Sequence, residues 1–322
     1  MNRWGVTIPL AGIELSEHRE LVQALPSWGY TDVWSSEVSG ADAFTPLAAA
    51  AVWTSSLHLG TAIVPAFTRG PALIAQSAAT LAGLAPGRFT LGLGASSPAI
   101  VEQWNGLEFS EPYRRTRDVL RMVRAALNGE KVSMQFDTFT VRGFRLENPP
   151  EQSVEILLAA LRPQMLALAG READGTILNW LSAQDVPRCV EAMGNPDCTV
   201  AARIFVCPTE DRDFALYTGR RMIAAYLTVN AYAQFQRWLG RTGDLSALWS
   251  LWEAGERAAA VDSVTEAVVD ALVINGSIAS CRDQVQAYVD AGVTVPIIAL
   301  VPTPELKDAA SLAAVLAGLG RR

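Results

Sequence analysis

Apolar segments that end in polar loops recur along the first third of the chain. Thr31–Ser36, Leu57–Val64 and Arg88–Gly94 are mainly apolar, and continuous apolar runs are typical of buried parallel strands. Each is followed by a polar loop and then by a helical segment, of which Ala72–Leu84, preceded by Pro71, is one. Repeated units of this kind predict an α/β fold, a parallel (βα)8 TIM barrel with its site at one rim.

The remaining pattern predicts one domain over residues 1–322, because no linker divides the chain. A hairpin insertion is expected near 131–147, where apolar and polar residues alternate, and an aromatic-rich helical insertion near 211–271 is expected to cap the barrel mouth. The other barrel strands are expected at Arg3–Pro9, Val154–Ala160, Gly175–Leu181, Thr199–Cys207 and Thr294–Val301. The other helices are expected at Leu15–Trp28, Phe44–Ser55, Glu111–Gly129, Pro163–Arg171, Ala183–Met193, Arg282–Gly292 and Leu306–Leu319.

Composition narrows the possible partners and the cellular compartment. The 322 residues are 50% hydrophobic and carry a net charge of −7, which disfavours a nucleic-acid partner. No apolar run is long enough to span a bilayer, and the amino terminus lacks the pattern of a signal peptide. The four cysteines are scattered without metal-ligand spacing, so we interpret them as reduced thiols of a cytoplasmic protein.

A scarcity of histidine and lysine excludes several common chemistries of barrel enzymes. His18 lies in a helix, His58 begins a strand at the far end of the barrel, and the two lysines, Lys131 and Lys307, lie outside the expected rim. The sequence therefore disfavours Schiff-base aldolases and acyl transfer by a Ser–His pair. No grouping of acidic residues and histidines has metal-ligand spacing, so no metal site is predicted.

The loop after the fourth strand, Gly92–Ser97, is the first candidate for a binding site. Glycines after a strand allow a backbone to approach an anionic group, whose oxygens the successive N–H groups then bind. A dinucleotide fingerprint would require glycine at position 97, where Ser97 stands. A bare tight turn is an equally good interpretation of the pattern.

Glu37 follows the second strand, where a barrel carries its catalytic groups. A partly desolvated carboxylate there would serve as a proton donor or acceptor. The alternative is that Glu37 forms a structural ion pair with Arg69. Arg69 in turn either binds an anionic ligand or holds the loops together through such an ion pair. Asp42 is expected to cap the helix that begins near Phe44.

Three further residues lie just after predicted strands. Arg162 precedes a helix, so it either binds phosphate or forms a salt bridge. Asn179 and Trp180 end the sixth strand, and Trp180 either stacks on a ring or packs in the wall. The inventory of backbone amides, one carboxylate, arginines and aromatic rings suits a protein whose reactive atom belongs to a bound organic cofactor.

Four segments together resemble the luciferase-like monooxygenase superfamily, and more narrowly its branch that uses coenzyme F420, a deazaflavin. They are Trp34–Glu37, Leu59–Pro65 with Arg69–Pro71, Gly87–Ser96 and Ala169–Gly175. The resemblance covers nearly the whole chain. It implies a (βα)8 barrel, commonly a homodimer, with the deazaflavin at the carboxyl ends of the strands.

The resemblance also implies which residues contact the cofactor. A bulge in the third strand, with a cis peptide bond between Ala62 and Ile63, would back the central ring. The loop after the fourth strand, the segments near the ribityl-phosphate tail and the end of the sixth strand would complete the site. The implied contacts are Ala62, Ile63, Gly94, Ala95, Ser96, Ser97, Ala160, Arg162, Gly170, Asn179 and Trp180.

Two departures from the family pattern leave the substrate open. Some members carry a histidine where Val38 stands, and the sugar-phosphate member carries a glutamate where Ser96 and Ser97 stand. Glu37 is then the remaining acid–base candidate. We expect hydride transfer between deazaflavin C5 and a small, largely apolar organic substrate. An FMN-dependent monooxygenase of the same fold and a non-catalytic protein that binds F420 or flavin are the alternatives.

Overall fold

The computed structural model describes residues 3–321, and its centre is a closed barrel of eight parallel strands. The strands are β1 Gly5–Thr7, β2 Asp32–Ser35, β3 His58–Thr61, β4 Phe89–Gly94, β5 Glu155–Ala159, β6 Gly175–Asn179, β7 Thr199–Cys207 and β8 Val295–Leu300. Each strand pairs with the next, and β8 closes the barrel on β1. The predicted TIM barrel is confirmed.

The third strand differs from the expected continuous run. It stops at Thr61 and resumes as Val64–Pro65, which pairs with the end of β4. The sixth strand is shorter than expected, because Trp180 adopts a left-handed backbone with φ of 56°. A two-residue strand, Ile274–Asn275, pairs with the end of β7 and was not anticipated, since two residues carry no periodic pattern.

Helices surround the barrel. Those that follow strands in the barrel pattern are α1 His18–Ala24, α2 Thr45–Trp53, α3 Pro71–Leu84, α4 Pro112–Leu127, α5 Pro163–Glu172, α6 Val186–Met193, α12 Ile278–Asp290 and α13 Ala309–Leu319. Those of the long helical segment are α7 Arg212–Leu227, α8 Asn230–Leu239, α9 Thr242–Glu253, α10 Arg257–Asp262 and α11 Glu266–Leu272.

Caps explain two helix starts that the sequence analysis misplaced. The start of α12 was expected at Arg282, but the Ser277 hydroxyl accepts a hydrogen bond from the Ser280 N–H and begins the helix four residues earlier. The start of α13 was expected at Leu306, but the Asp308 side chain caps the helix that begins at Ala309.

The barrel interior is filled at two levels. An apolar layer occupies its middle and is formed by Trp34, Leu157, Ile177, Ala201, Val295 and Ile297. Below it, at the amino ends of the strands, the Glu155 carboxylate accepts hydrogen bonds from Arg3, Thr90 and Thr199, and His58 contacts Thr90 at 2.6 Å. This polar network closes the end of the barrel opposite the expected site.

The two segments expected as insertions have different roles. The strands Val132–Gln135 and Thr140–Phe144 form an antiparallel hairpin, which is fastened to α4 by hydrogen bonds from Thr138 to the buried Asp118 carboxylate. Helices α7–α11 pack together with Trp180, Phe205 and Val301 in a second apolar cluster. They therefore cover the carboxyl ends of β6, β7 and β8.

Candidate active site

The interruption of β3 shapes one side of the barrel mouth. The peptide bond between Ala62 and Ile63 is cis, as the resemblance implied. The Ala62 N–H donates to the Ser35 carbonyl at 2.6 Å, and the Glu37 N–H donates to the Ile63 carbonyl at 3.2 Å. These bonds tie the interrupted segment to the end of β2. The Ala62 and Ile63 side chains are only partly buried and lie on the apolar interior layer, so they present an apolar surface to the mouth.

Glycines in β4 allow the backbone to pack closely against the apolar surface of Ala62 and Ile63. A Cβ atom at Gly94 would lie 3.0 Å from both the Ile63 side chain and the Ala159 Cβ. At Gly92, one layer deeper, a Cβ atom would lie 1.9 Å from the Thr61 carbonyl oxygen. Glycine at these positions is thus required by close packing of β3 against β4 and not only by the turn that follows.

The loop after β4 is a half-buried turn at the same rim. Ala95, Ser96 and Ser97 are each partly exposed, and Ser96 has φ of 68°, in the left-handed region. The Ser97 hydroxyl accepts a weak hydrogen bond from the Ile100 N–H at 3.4 Å before a π-helical turn, Ala99–Trp104. The loop therefore remains partly exposed at the rim, with the Ser97 hydroxyl engaged by the following turn.

Glu37 forms an ion pair with Arg69 that joins the loops after β2 and β3. The Arg69 guanidinium donates to both carboxylate oxygens at 2.8 to 3.0 Å, and the Ala43 N–H donates to the same carboxylate at 3.2 Å. These hydrogen bonds raise the pKa of Arg69 despite its partial burial. The Asp42 carboxylate accepts from the Phe44 and Thr45 N–H groups just before α2, but the N-cap position of this helix is Phe44 and not Asp42 as expected. Proton transfer by Glu37 requires this ion pair to open.

Asn179 and Trp180 lie where the helical segment meets the barrel. The Asn179 side-chain N–H donates to the Tyr232 hydroxyl at 3.3 Å, and Gln236 donates to the Trp180 carbonyl at 2.6 Å. Trp180 is 1% exposed and stacks against Phe205 and Tyr226, with ring centroids 4.3 and 4.9 Å away. The Trp180 ring is thus held within the wall, although its indole N–H has no hydrogen-bond acceptor in the part of the chain that the structure describes.

Residues predicted to contact the cofactor after β5 are separated by the structure. Ala160 is buried and hydrogen-bonded to the Ile177 carbonyl, and Arg162 is exposed immediately before α5 at the rim. Gly170 lies in the last turns of α5, which runs away from the rim, and a Cβ there would be 2.1 Å from the Met193 carbonyl oxygen. The packing of α5 on α6 accounts for this glycine, and the contact of Gly170 with the cofactor stays a prediction.

Arg203 is a residue of the mouth that the sequence analysis missed. It lies in β7 beside Asn179 of β6 and places its guanidinium 4.9 Å from the Phe205 ring. The sequence feature that could have identified it is an arginine within the otherwise apolar strand Thr199–Cys207. Charged residues inside such runs mark positions that face either the opposite side of a strand or a polar cavity.

Other features of the structure indicate no further catalytic or metal-binding site among the described residues. Within residues 3–321, no group of acidic residues, cysteines and histidines is arranged to hold a metal ion, and no helix is long and apolar enough to cross a membrane. The four cysteines are buried free thiols. A groove of about 800 Å³ lies between α3 and residues 145–154. None of the predicted site residues lines this groove.

Comparison with known proteins assigns the family. The model of the luciferase-like monooxygenase family matches residues 3–295, and the chain belongs to this family. It is 29% identical to a Mycobacterium tuberculosis protein provisionally named a coenzyme F420-dependent oxidoreductase, over 96% of both chains. It is 27% identical to the 5,10-methylenetetrahydromethanopterin reductase of Methanolobus tindarius, over 83% of this chain and 84% of that one.

A solved structure shows the same fold. The coenzyme F420-dependent tetrahydromethanopterin reductase of Methanopyrus kandleri superposes with a TM-score of 0.78 at 22% identity, covering 98% of this chain and 97% of that one. The likeness extends over the whole barrel together with its inserted segments. It supports the architecture described above and leaves the chemistry of the site to the residues themselves.

Proposed function

We propose that this protein is an F420-dependent oxidoreductase that transfers a hydride between the deazaflavin and a small organic substrate. The support is an apolar surface, Ala62 with Ile63, facing a rim that offers backbone amides and aromatic rings but little acid–base chemistry of its own. The Mycobacterium tuberculosis relative that is named for coenzyme F420 favours the same cofactor. Such a site binds and orients the cofactor and the substrate, while the cofactor supplies the reactive atom.

The residues at the rim fit a flat tricyclic group. Ala62, Ile63, Gly94 and Ala159 form a shallow apolar surface, since any side chain at position 94 would fill it. Residues 95–97 border this surface with partly exposed backbone. When bound there, the deazaflavin supplies the hydride-carrying C5 atom. The proposed contacts are Ala62, Ile63, Gly94, Ala95, Ser96, Ser97, Ala160, Arg162, Asn179 and Trp180.

The chain's own contribution is to position the reactants and exclude water. Helices α7 and α8 cover the mouth from the side of β6 and β7, with Phe205, Tyr226 and Tyr232 in contact with one another or with Trp180. Glu37 is the proposed acid–base group, which acts only after its bond to Arg69 opens. The aromatic surroundings favour a substrate with an apolar body.

A screen for hydride acceptors tests this function. Reduced F420 is incubated anaerobically with the protein and a panel of ketones, aldehydes and enones, and the return of oxidised F420 is followed spectroscopically. Turnover with at least one acceptor is expected, with reduced FMN giving none. Turnover with reduced FMN and oxygen alone would favour a monooxygenase. The absence of turnover with either cofactor, despite tight binding of F420, would favour a non-catalytic binding protein.

We further propose a cytoplasmic homodimer. Helix α2 is apolar at every position after Thr45, and α3 is apolar over most of its surface, although one barrel buries only one face of each. Val52, Leu73 and Leu84 remain exposed, so a second copy packed on these helices would bury them. Sedimentation equilibrium is expected to give a dimer that Val52→Glu weakens, and a monomeric wild type would contradict this.

A further inference from the structure

Arg203 points into the barrel one layer above the apolar interior. Ala201 belongs to the interior layer, and side chains two residues apart on a strand face the same side. Asn179 is the Cα partner of Arg203 on β6 and lies two residues beyond the interior residue Ile177. Arg203 and Asn179 are therefore side by side, directed inward and nearer the mouth than the apolar layer.

The guanidinium of Arg203 has no counter-ion in the part of the chain that the structure describes. No carboxylate among residues 3–321 lies within salt-bridge distance of it, and its buried Nε has no hydrogen-bond acceptor there. Two other arginines of the barrel ends are paired with carboxylates, Arg3 with Asp32 and Arg69 with Glu37. Arg203 is partly buried, and its Nε is a buried polar atom without an acceptor among the described residues. Leaving such an atom without a partner is costly, so its position in the barrel mouth indicates a partner that arrives from solution.

The side chains around Arg203 indicate the chemistry of the ligand that would bind it. Its guanidinium is 4.9 Å from the Phe205 ring, and Phe205 packs on Trp180 and Tyr226. The Asn179 side-chain oxygen is buried and has no donor in the described chain, while its N–H group reaches the Tyr232 hydroxyl. Burial raises the pKa of Tyr232 to about 12, so its hydroxyl keeps its proton at neutral pH and is able to donate.

We propose that Arg203 binds the carboxylate of an apolar organic acid and that this acid is the substrate, or a product, of the site. The Tyr232 hydroxyl adds a neutral donor beside the guanidinium, and the aromatic rings receive the apolar body of the acid. A carboxylate fits better than a phosphate ester because one guanidinium balances one negative charge. The identity of this acid as the hydride acceptor or donor rests on the proposed F420-dependent function.

Isothermal titration tests the subsite with the F420-loaded protein. The probes are phenylacetate, benzoate and octanoate, their primary amides, and phenyl phosphate. We expect at least one carboxylate to bind, its amide to bind about tenfold or more weakly, and phenyl phosphate to bind no better than the carboxylate. The proposal is overturned if no carboxylate binds, if the amides bind equally well, or if phenyl phosphate binds more tightly.

Variants locate the binding at Arg203. Arg203→Gln is expected to weaken carboxylate binding about 10- to 100-fold, as for loss of a charged hydrogen bond, and Arg203→Lys to restore part of it. Asn179→Asp places a carboxylate next to the guanidinium with little change of shape, so it should abolish binding of the acids. Arg19→Gln removes the same charge from the exposed face of α1 and should have no effect. Unchanged affinity in both Arg203→Gln and Asn179→Asp overturns the proposal.

The same titrations without cofactor separate this inference from the proposed function. Arg203-dependent binding of a carboxylate in a protein that fails to bind F420 would leave the acid subsite standing and remove the proposed function. The opposite result is tight F420 binding that changes by no more than about twofold in Arg203→Gln, with carboxylate binding that is the same in this variant and the wild type. It would leave the proposed function standing and overturn the acid subsite. Loss of F420 binding in Arg203→Gln would assign the guanidinium to the cofactor and overturn the acid subsite.

Discussion

The Arg69 guanidinium donates hydrogen bonds from Nε to both oxygens of the Glu37 carboxylate and from Nη2 to one of them. The two side chains are only 20% and 17% exposed, so solvent screens the pair weakly. This pair links the loops that follow β2 and β3, and Asp42 lies 3.6 Å from the same guanidinium. It sets the geometry of the rim where the apolar surface of Ala62 and Ile63 begins.

We expect the two partners to be energetically coupled. Glu37→Gln and Arg69→Gln should each lower the free energy of unfolding, and the double variant should be less destabilised than their sum by about 1–3 kcal/mol. Urea denaturation of the four proteins gives this coupling energy. Additive effects within about 0.5 kcal/mol would show that the pair contributes nothing of its own.

Glu37→Gln also tests the proposed acid–base role. With an acceptor in hand, this variant should lower kcat by about tenfold or more, while the Kd for F420 changes by no more than about twofold, because the carboxylate transfers a proton without holding the cofactor. Arg69→Gln is the comparison, since it removes the partner and keeps the carboxylate. An unchanged kcat in Glu37→Gln would remove this residue from the mechanism.

Two glycine substitutions should have opposite effects on stability. Gly92→Ala places a Cβ atom 1.9 Å from the Thr61 carbonyl oxygen, a backbone atom that moves only with β3. It should cost about 3 kcal/mol or more, as other steric conflicts in a packed core do. The matched change Gly83→Ala lies in α3 with open space around it and should stabilise by about 0.5–1 kcal/mol. Equal melting temperatures for the two variants would contradict the close packing of β3 on β4.

His58 should make stability depend on pH below neutrality. Burial, and next the Arg3 charge, lower the pKa of His58 to about 3, whereas in the unfolded chain it titrates near 6.5. Between these values the unfolded state binds the extra proton, so stability is full above about pH 6.5 and falls as the pH falls.

The matched variant His58→Gln isolates this contribution. The wild type should lose stability relative to the variant by up to about 1.4 kcal/mol per pH unit between pH 6 and pH 4, measured by urea denaturation at each pH. Parallel pH profiles of the two proteins would show that His58 titrates alike in the folded and unfolded states.

The barrel strands could be predicted because a strand buried on both faces is an apolar run, as β7 illustrates from Thr199 to Cys207. The ends of strands and helices were harder to predict from the sequence. The end of β6 depends on the left-handed backbone of Trp180, and the start of α12 depends on a serine cap among several serines. Both are set by contacts that a one-dimensional pattern does not contain.

The site was predicted unevenly for similar reasons. Loops after strands identify the rim, so the positions of Glu37, Ser96 and Arg162 at this end of the barrel could be predicted, while their roles stay predictions. Arg203 was missed because its role depends on which side of β7 faces inward and on the absence of a counter-ion in the described chain. The packing of Gly170 on Met193 could not be predicted, because a local glycine motif does not reveal which helix α5 will contact.

Direct binding of the cofactor tests the central claim most sharply. Fluorescence titration of the purified protein with F420, and separately with FMN, gives both dissociation constants under one condition. The full-length relative named for coenzyme F420 leads us to expect submicromolar binding of F420 beside Ala62 and Ile63 and much weaker binding of FMN. Submicromolar binding of FMN with no detectable binding of F420 would contradict the assignment.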